Sequence, residues 1–356
     1  GGDTLPKEVD AARKLGVDAV LENQISLPVA CAGAVCFHGQ AEFHPLKFIG
    51  ALAEELEIYE NTPVKEVEEH LVKTPGGSVR ADKIVFAVHF PFINFPGMYF
   101  ARMHQERSYV LALENAGTVD GLYIGEGEDV LSFRQYKQYL LLGGQAHRTG
   151  ENREGGRYDK LKEAAGKMYP QSRIAACWSA QDCMTTDCVP FIGPYAADRP
   201  DWYVATGFCK WGMSSAMVSA MLLKDMICGI NNPYTEVFAP SRFSGEEIPQ
   251  LLEDTGKSVK GLTKRFFHMP QETVDELPRG HGGVIDTSQG KTGVYKTEDG
   301  QLFQVDIVCP HMGCELTWNP DERSWDCPCH GSRFDYKGNR IDGLAEEGIA
   351  LESSPE

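Results

Sequence analysis

The stretch CPHMGCELTWNPDERSWDCPCHGS, residues 309–332, holds four of the chain's eleven cysteines and two of its ten histidines. This cluster constrains the fold more than any other feature, because the loops that carry it must converge on one another or on a shared centre. The spacing is Cys309-x-His311, fifteen intervening residues, then Cys327-x-x-His330. Two thiolates and two imidazoles make a complete set of four ligands. Tetrahedral zinc accepts that set. So does a [2Fe–2S] cluster with two cysteines on one iron and two histidines on the other. A pure disulfide knot is the third reading. Cys314 and Cys329 lie near the two ligand pairs and are placed to bridge the loops. Such a clamp suits a cluster whose loops stay rigid during electron transfer more than a zinc site that its metal already ties. Ser332 follows His330 by two residues, where its hydroxyl can donate to a cluster sulfur.

The rest of the chain sets limits. Its 356 residues exceed one average core and imply two domains or three. A net charge of −17 argues against binding a phosphate backbone, which needs clustered Lys and Arg, and favours a basic redox partner. The longest apolar run, WGMSSAMVSAMLLKDMICG (211–229), is broken by Lys224 and Asp225 before it reaches the ~20 residues of a membrane span. It reads as a buried helix. The seven other cysteines (31, 36, 177, 183, 188, 209 and 228) are irregularly spaced and predict reduced, mostly buried thiols in a cytoplasmic protein. No signal peptide is visible, and the chain opens on GGDTLPKE without an initiator Met, so a targeting segment upstream is compatible with it.

Two textures divide the chain. Residues 1–230 alternate helical and strand patterns, as in an α/β or α+β enzyme domain. HPLKFIGALAEEL (44–56) and GGRYDKLKEAAGKMYP (155–170) predict helices, the second stopped by Pro170. TPVKEVEEHLVKTPGGSVRADKIVFAVHF (62–90) predicts short strands, a Gly-Gly hairpin and an apolar strand. Residues 231–269 read as a Pro-, Asn- and Ser-rich linker with one bridging helix in LLEDTGKSVKGLTKRFF. From 270 to 356, short strand-like runs punctuated by Gly and Asp predict a small all-β module. Trp318 and Trp325 are expected to pack around it rather than relay electrons.

CPHMGC…CPCHGSRFD resembles the two cluster-binding boxes of Rieske iron–sulfur proteins, in the subtype with an extra cysteine pair. The resemblance implies that Cys309 and Cys327 bind one iron of a [2Fe–2S] cluster and His311 and His330 the other, with Cys314–Cys329 as a disulfide. It also marks two departures. Phe334 stands where high-potential members often carry a Tyr that donates to a ligand sulfur, which lowers the expected potential. GLA (343–345) replaces the Gly-Pro-rich loop that shields the cluster in many relatives, which leaves shielding there open.

The first block carries a second resemblance. DWYVATGF (201–208) reads as a strand ending in Gly207, followed by a helix that opens with WGMSSA; free N–H groups at that helix start favour negative charge. Alone this is ordinary scaffold. In the order HP, TPV, ADKIVFA, TTDCVPFIG and this turn, residues 38–229 resemble the FAD-dependent oxidoreductases of the D-amino-acid oxidase and glycine oxidase class. The resemblance implies that the backbone of Val64 meets the adenine of FAD and that Ala87 and Val88 lie near the pyrophosphate. It places Gly207, Lys210, Trp211, Gly212 and Met213 around the isoalloxazine. Residues 91–180 would form the substrate-binding sheet, with Arg134 or His147 as anion contacts. Members begin with a βαβ unit carrying G-x-G-x-x-G, and none is found near the start of this sequence.

The fold class expected is therefore multi-domain: an α/β (α+β) FAD-dependent oxidoreductase-like domain, incomplete at its N-terminus, then an all-β Rieske domain. The function expected is oxidation of an amine or amino-acid-like small molecule by flavin, followed by one-electron transfer through the cluster to a redox partner protein or other acceptor. An electron-transfer or redox-sensing protein with a non-catalytic scaffold is the alternative, and a zinc-binding interaction module a third reading. Lacking the βαβ unit, residues 1–356 alone are expected to assemble the cluster without retaining FAD.

Overall fold

The computed structural model describes residues 4–127, 130–242, 273–287 and 290–351. The bridging helix expected within 251–267 lies outside the described residues. Two compact units emerge, one from residues 1–61, 110–144 and 159–178, the other from 62–109, 145–158 and 179–356.

In the first unit, helix Thr4–Lys14 packs on the hairpin Ala19–Glu22/Ala34–Phe37, burying Val9 and Ala12. Helix Pro45–Ala53 starts where the sequence signals it. His44 Nδ1 accepts from the Lys47 N–H as N-cap, and the fixed φ of Pro45 suits the first helical turn. A five-stranded sheet, not confined to that unit, runs in the order 173–185, 103–114, 139–148, 131–136, 123–124. Helix Arg157–Met168 ends two residues before Pro170.

The second unit carries what positions the site. Strand Arg199–Thr206 pairs antiparallel with Phe191–Ala196 and parallel with Ile84–Phe86, in the register Trp202↔Ile84 to Val204↔Phe86. Parallel pairing carries the two chains out of the sheet at the same end, so residues 87–89 emerge beside 205–207. Helix Gly212–Ile227 follows at once. Its burial corrects the sequence reading. Ser215, Ser219, Leu222 and Leu223 are buried, whereas Met213, Met217 and Met221 are exposed, so only one face is covered. The cysteine reading needs the same correction: of the seven scattered thiols only Cys183 and Cys209 are buried. Irregular spacing among small residues fixes no burial, because strand edges and turns place such residues on either side.

The C-terminal module has a three-stranded sheet (His281–Thr287, Gly290–Lys296, Leu302–Asp306) and a four-stranded one (Thr317–Asn319, Ser324–Asp326, Arg333–Asp335, Arg340–Asp342). One core joins them, containing Val305, Leu316, Phe334 and Trp325, with the rings of Trp318 and Trp325 5.0 Å apart. The tryptophans pack, as expected. Gly293 is required there, because a Cβ would lie 2.9 Å from the Trp325 ring.

Candidate functional site

The two loops of the cysteine–histidine stretch share one hydrogen-bond scheme. Gly313 N donates to Cys309 O at 2.9 Å and Gly331 N to Cys327 O at 3.0 Å; Cys309 N donates to Cys314 O at 2.9 Å and Cys327 N to Ser332 O at 2.8 Å. Each loop turns through a left-handed glycine, with φ of +77° at Gly313 and +76° at Gly331. Six residues with one glycine at the fifth position thus build each loop locally. Cys314 and Cys329 are joined as a disulfide across them.

This scaffold brings together all four residues expected as ligands. Cys309 and Cys327 are buried, unbridged and hydrogen-bonded to each other. That shared proton pushes the Cys309 thiol down to about 7 against the opposing effect of burial, and holds Cys327 well above the usual thiol value. The His311 and His330 rings lie 5.0 Å apart at 85°. Both nitrogens of each are buried without a hydrogen-bond partner. Burial lowers the pKa of both, that of His330 to about 3 with help from His311 and Arg148, so both imidazoles are neutral. Four orphaned imidazole nitrogens beside two thiols that share one proton, Cys309 being the one that releases it readily, form a donor set suited to a metal centre. The sulfurs of Cys314, Cys327 and Cys329 also lie within 4.8 Å of one another. Two of them form the disulfide, so that trio offers one thiolate only.

Ser332 is fully buried; its hydroxyl donates to the Cys309 sulfur and accepts from Ala345 N at 3.0 Å. The GLA segment therefore covers the site. A Cβ at Gly343 would sit 2.4 Å from Ser332 Cα, so glycine is needed for this approach, and Ala345 is fully buried. Phe334 is buried opposite Trp325.

In the same unit, a cavity of about 530 Å³ opens where strand Arg199–Thr206 meets strand Ile84–Phe86 and helix Gly212–Ile227, a volume typical of small-molecule sites. Four residues expected around FAD line it: Ala87, Val88, Gly207 and Gly212. Gly212 begins a helix that has no side-chain cap, and nothing lies within 4 Å of where its Cβ would stand. The open space and the free N–H groups of that first turn suit the electron-rich edge of a reduced flavin. The four other residues expected there lie outside the lining. Val64, Trp211 and Met213 are exposed, and Lys210 Nζ pairs with Glu106 Oε2 at 2.8 Å. Glu106 is held down to about 2, first by the hydrogen bond from His104 and then by Lys210, against burial.

The lining residues that sequence reasoning missed include His89, Asp182, Cys183 and Cys209. Burial raises the pKa of Asp182, opposed by Lys210 and His89. The His89 carbonyl accepts from both Cys183 Sγ at 2.8 Å and Thr206 Oγ1 at 2.9 Å, which fixes that residue in the wall. His89 lies two positions beyond Ala87, so extending the strand signal by one alternation would have found it. The anion contacts expected from the sheet are engaged otherwise. Arg134 pairs with Glu42 at 3.2 Å, and His147 is buried against the Tyr109 hydroxyl at 3.0 Å.

Known proteins resemble both parts. The FAD dependent oxidoreductase family matches residues 3–226 and the Rieske [2Fe-2S] domain residues 268–350. The chain is 33% identical over 354 residues to YhfW of Bacillus subtilis (strain 168), named as a Rieske 2Fe-2S iron–sulfur protein, covering 95% of this chain and 70% of that one. Over 122 residues it is 42% identical to the cytochrome b6-f complex iron–sulfur subunit of Synechococcus elongatus, covering 33% of this chain and 63% of that one. Its fold resembles glycine oxidase from Geobacillus kaustophilus with a TM-score of 0.58 and 19% identity, over 68% of this chain and 72% of that one.

Proposed function

Because the chain belongs to the FAD-dependent oxidoreductases and carries a Rieske [2Fe–2S] domain, we propose that it oxidises an amine or amino-acid-like donor and passes the electrons on singly. FAD supplies acceptance of an electron pair from a donor, and the cluster supplies one-electron transfer. The observation that carries this reading is the cavity with one buried-edge carboxylate, Asp182, in the same compact unit as the four-donor site. Asp182 matches the positive charge of an ammonium group, while Val85, Ala216 and Leu223 supply apolar wall. The fold shared with glycine oxidase supports the same donor class. A redox protein receives the electrons; no helix among the described residues is long and apolar enough to cross a membrane.

Anaerobic titration of the protein loaded with FAD and cluster tests the reading. Amines and amino acids are expected to bleach the flavin band and then produce the EPR signal of a reduced cluster. Bleaching by other donor classes alone, with none by any amine, would overturn the donor assignment.

A further inference from the structure

The second cluster loop is gripped from outside, at the cavity wall. Strand neighbours Gln105 and Gln181 each donate a side-chain amide to it. Gln105 Nε2 reaches His330 O at 3.4 Å and Gln181 Nε2 reaches Gly331 O at 3.0 Å. The fit is close enough that a Cβ at Gly331 would stand 2.7 Å from Gln105 Cγ and 2.7 Å from Gln181 Nε2. At Gly313, the equivalent position of the first loop, a Cβ would meet nothing within 4 Å.

Both amides are held in this orientation. Gln181 Oε1 accepts from Thr149 Oγ1 at 2.9 Å and Arg107 Nη2 at 3.2 Å, which turns its N–H groups towards Gly331. Gln105 Oε1 accepts from His89 Nε2 at 2.8 Å, which turns its N–H groups towards His330. Gln181 and His89 both line the cavity. Two short hydrogen-bonded links therefore run from the cavity wall to the backbone of a cluster ligand and its neighbour.

We propose that Gln105 and Gln181 are positioning residues that clamp the second cluster loop onto the cavity wall, so that electrons cross between flavin and cluster through this contact with the iron–sulfur domain held in place. The proposal rests on both centres serving one reaction. For each donor oxidised, two electrons enter FAD and leave it one at a time. Each turns one ferric iron ferrous, a one-electron acceptor reoxidises that iron, and the donor's protons go to water. The clamp fixes the separation on which each transfer depends.

The test uses the full protein loaded with FAD and cluster, with the flavin reduced by light and EDTA so that no donor is needed. In the double variant Gln105→Leu/Gln181→Leu, the rate at which the cluster EPR signal then appears is expected to fall at least tenfold. Gly331→Ala, which pushes the clamp away from the loop side, is expected to slow it similarly. Hydrogen exchange supplies a second readout on unreduced protein: amides of 327–332 should exchange faster in both variants while those of 309–314 keep the wild-type rate. A cluster-reduction rate within twofold of wild type, or equal acceleration of exchange in both loops, would overturn the clamp. Failure of every amine to reduce the flavin, with photoreduced protein charging its cluster at a rate that falls in the variants, removes the donor assignment and upholds the clamp.

Discussion

The two cluster loops are near twins in hydrogen bonding and strangers in surroundings. Each closes on itself through a glycine at almost the same φ, yet only Gly331 is pressed by side chains from the oxidoreductase sheet. Ligand geometry is thus a property of six consecutive residues, whereas docking is a property of residues more than a hundred positions away. The first is repeated in the chain; the second is not.

The largest effect should erase the difference between the loops. Cys309→Ser and Cys327→Ser each remove a thiolate from a set of four, and either is expected to abolish the cluster, read as loss of the Rieske EPR signal and of iron by metal analysis. Retention of a full cluster in either variant would break the equivalence of the loops. Alanine at the two glycines should expose the difference again. Both substitutions force a side chain into a left-handed backbone, at about 1–2 kcal/mol. Gly331→Ala adds overpacking against the two glutamines, about 1–3 kcal/mol more. Its melting temperature should therefore fall clearly below that of Gly313→Ala, and equal values would count against the contact.

A carboxylate on the opposite face of the same strand provides the control. Side chains alternate along Met103–Glu114, so Gln105 and Arg107 share one face while Glu106 points away, towards Lys210. The Glu106 pKa lies at about 2, below its usual 4.5, so its contribution is complete above pH 4.5 and is lost as pH falls through about 2. Discounted for partial exposure, that contribution is about 1–2 kcal/mol. Denaturant melts between those pH values should flatten in Glu106→Gln, with the cluster signal intact at neutral pH. An unchanged slope would show that the ion pair adds nothing. The smallest effect belongs to Ser332→Ala. It deletes the O–H···S bond to Cys309 and should lower the cluster potential by roughly 20–60 mV, the one-electron equivalent of about 0.5–1.5 kcal/mol. Voltammetry showing no fall would reject that hydrogen bond.

Legibility in the sequence followed the same division. The four residues expected as ligands and the cysteine pair stood out because each loop is written in six consecutive residues. Helix Pro45–Ala53 and the short strands from 66 to 86 were readable for the same local reason, a proline start and a Gly-Gly turn. The cavity was half readable. Ala87, Val88, Gly207 and Gly212, which the resemblance to the oxidoreductases implied, line it, but Lys210, Trp211 and Met213 turn elsewhere, because a pattern of residue types does not say which face of a turn points inward. Asp182 was missed because it stands on a strand of a different sheet, more than ninety positions from His89, and only the fold brings the two to one cavity. The clamp was invisible. Gln105, Arg107, Ser179 and Gln181 alternate like the wet face of a sheet, and only the arrival of the C-terminal module makes that face dry.

That drying reaches beyond the loops. Asn152 Nδ2 donates to Asp321 Oδ2 at 2.8 Å and Ser179 Oγ to Glu322 Oε2 at 2.7 Å. Gly150 and Gly155 lie so close to Pro328 and Pro320 that a Cβ on either would stand 2.6 Å from the facing proline. The glycines of one module are shaped by the prolines of the other. A Rieske domain borrowed from elsewhere would bring ligands that work anywhere but a surface that fits only here. Recombination between such proteins should therefore succeed when the segment 145–158 travels with its own C-terminal domain and fail when it does not, making the two halves a single heritable unit.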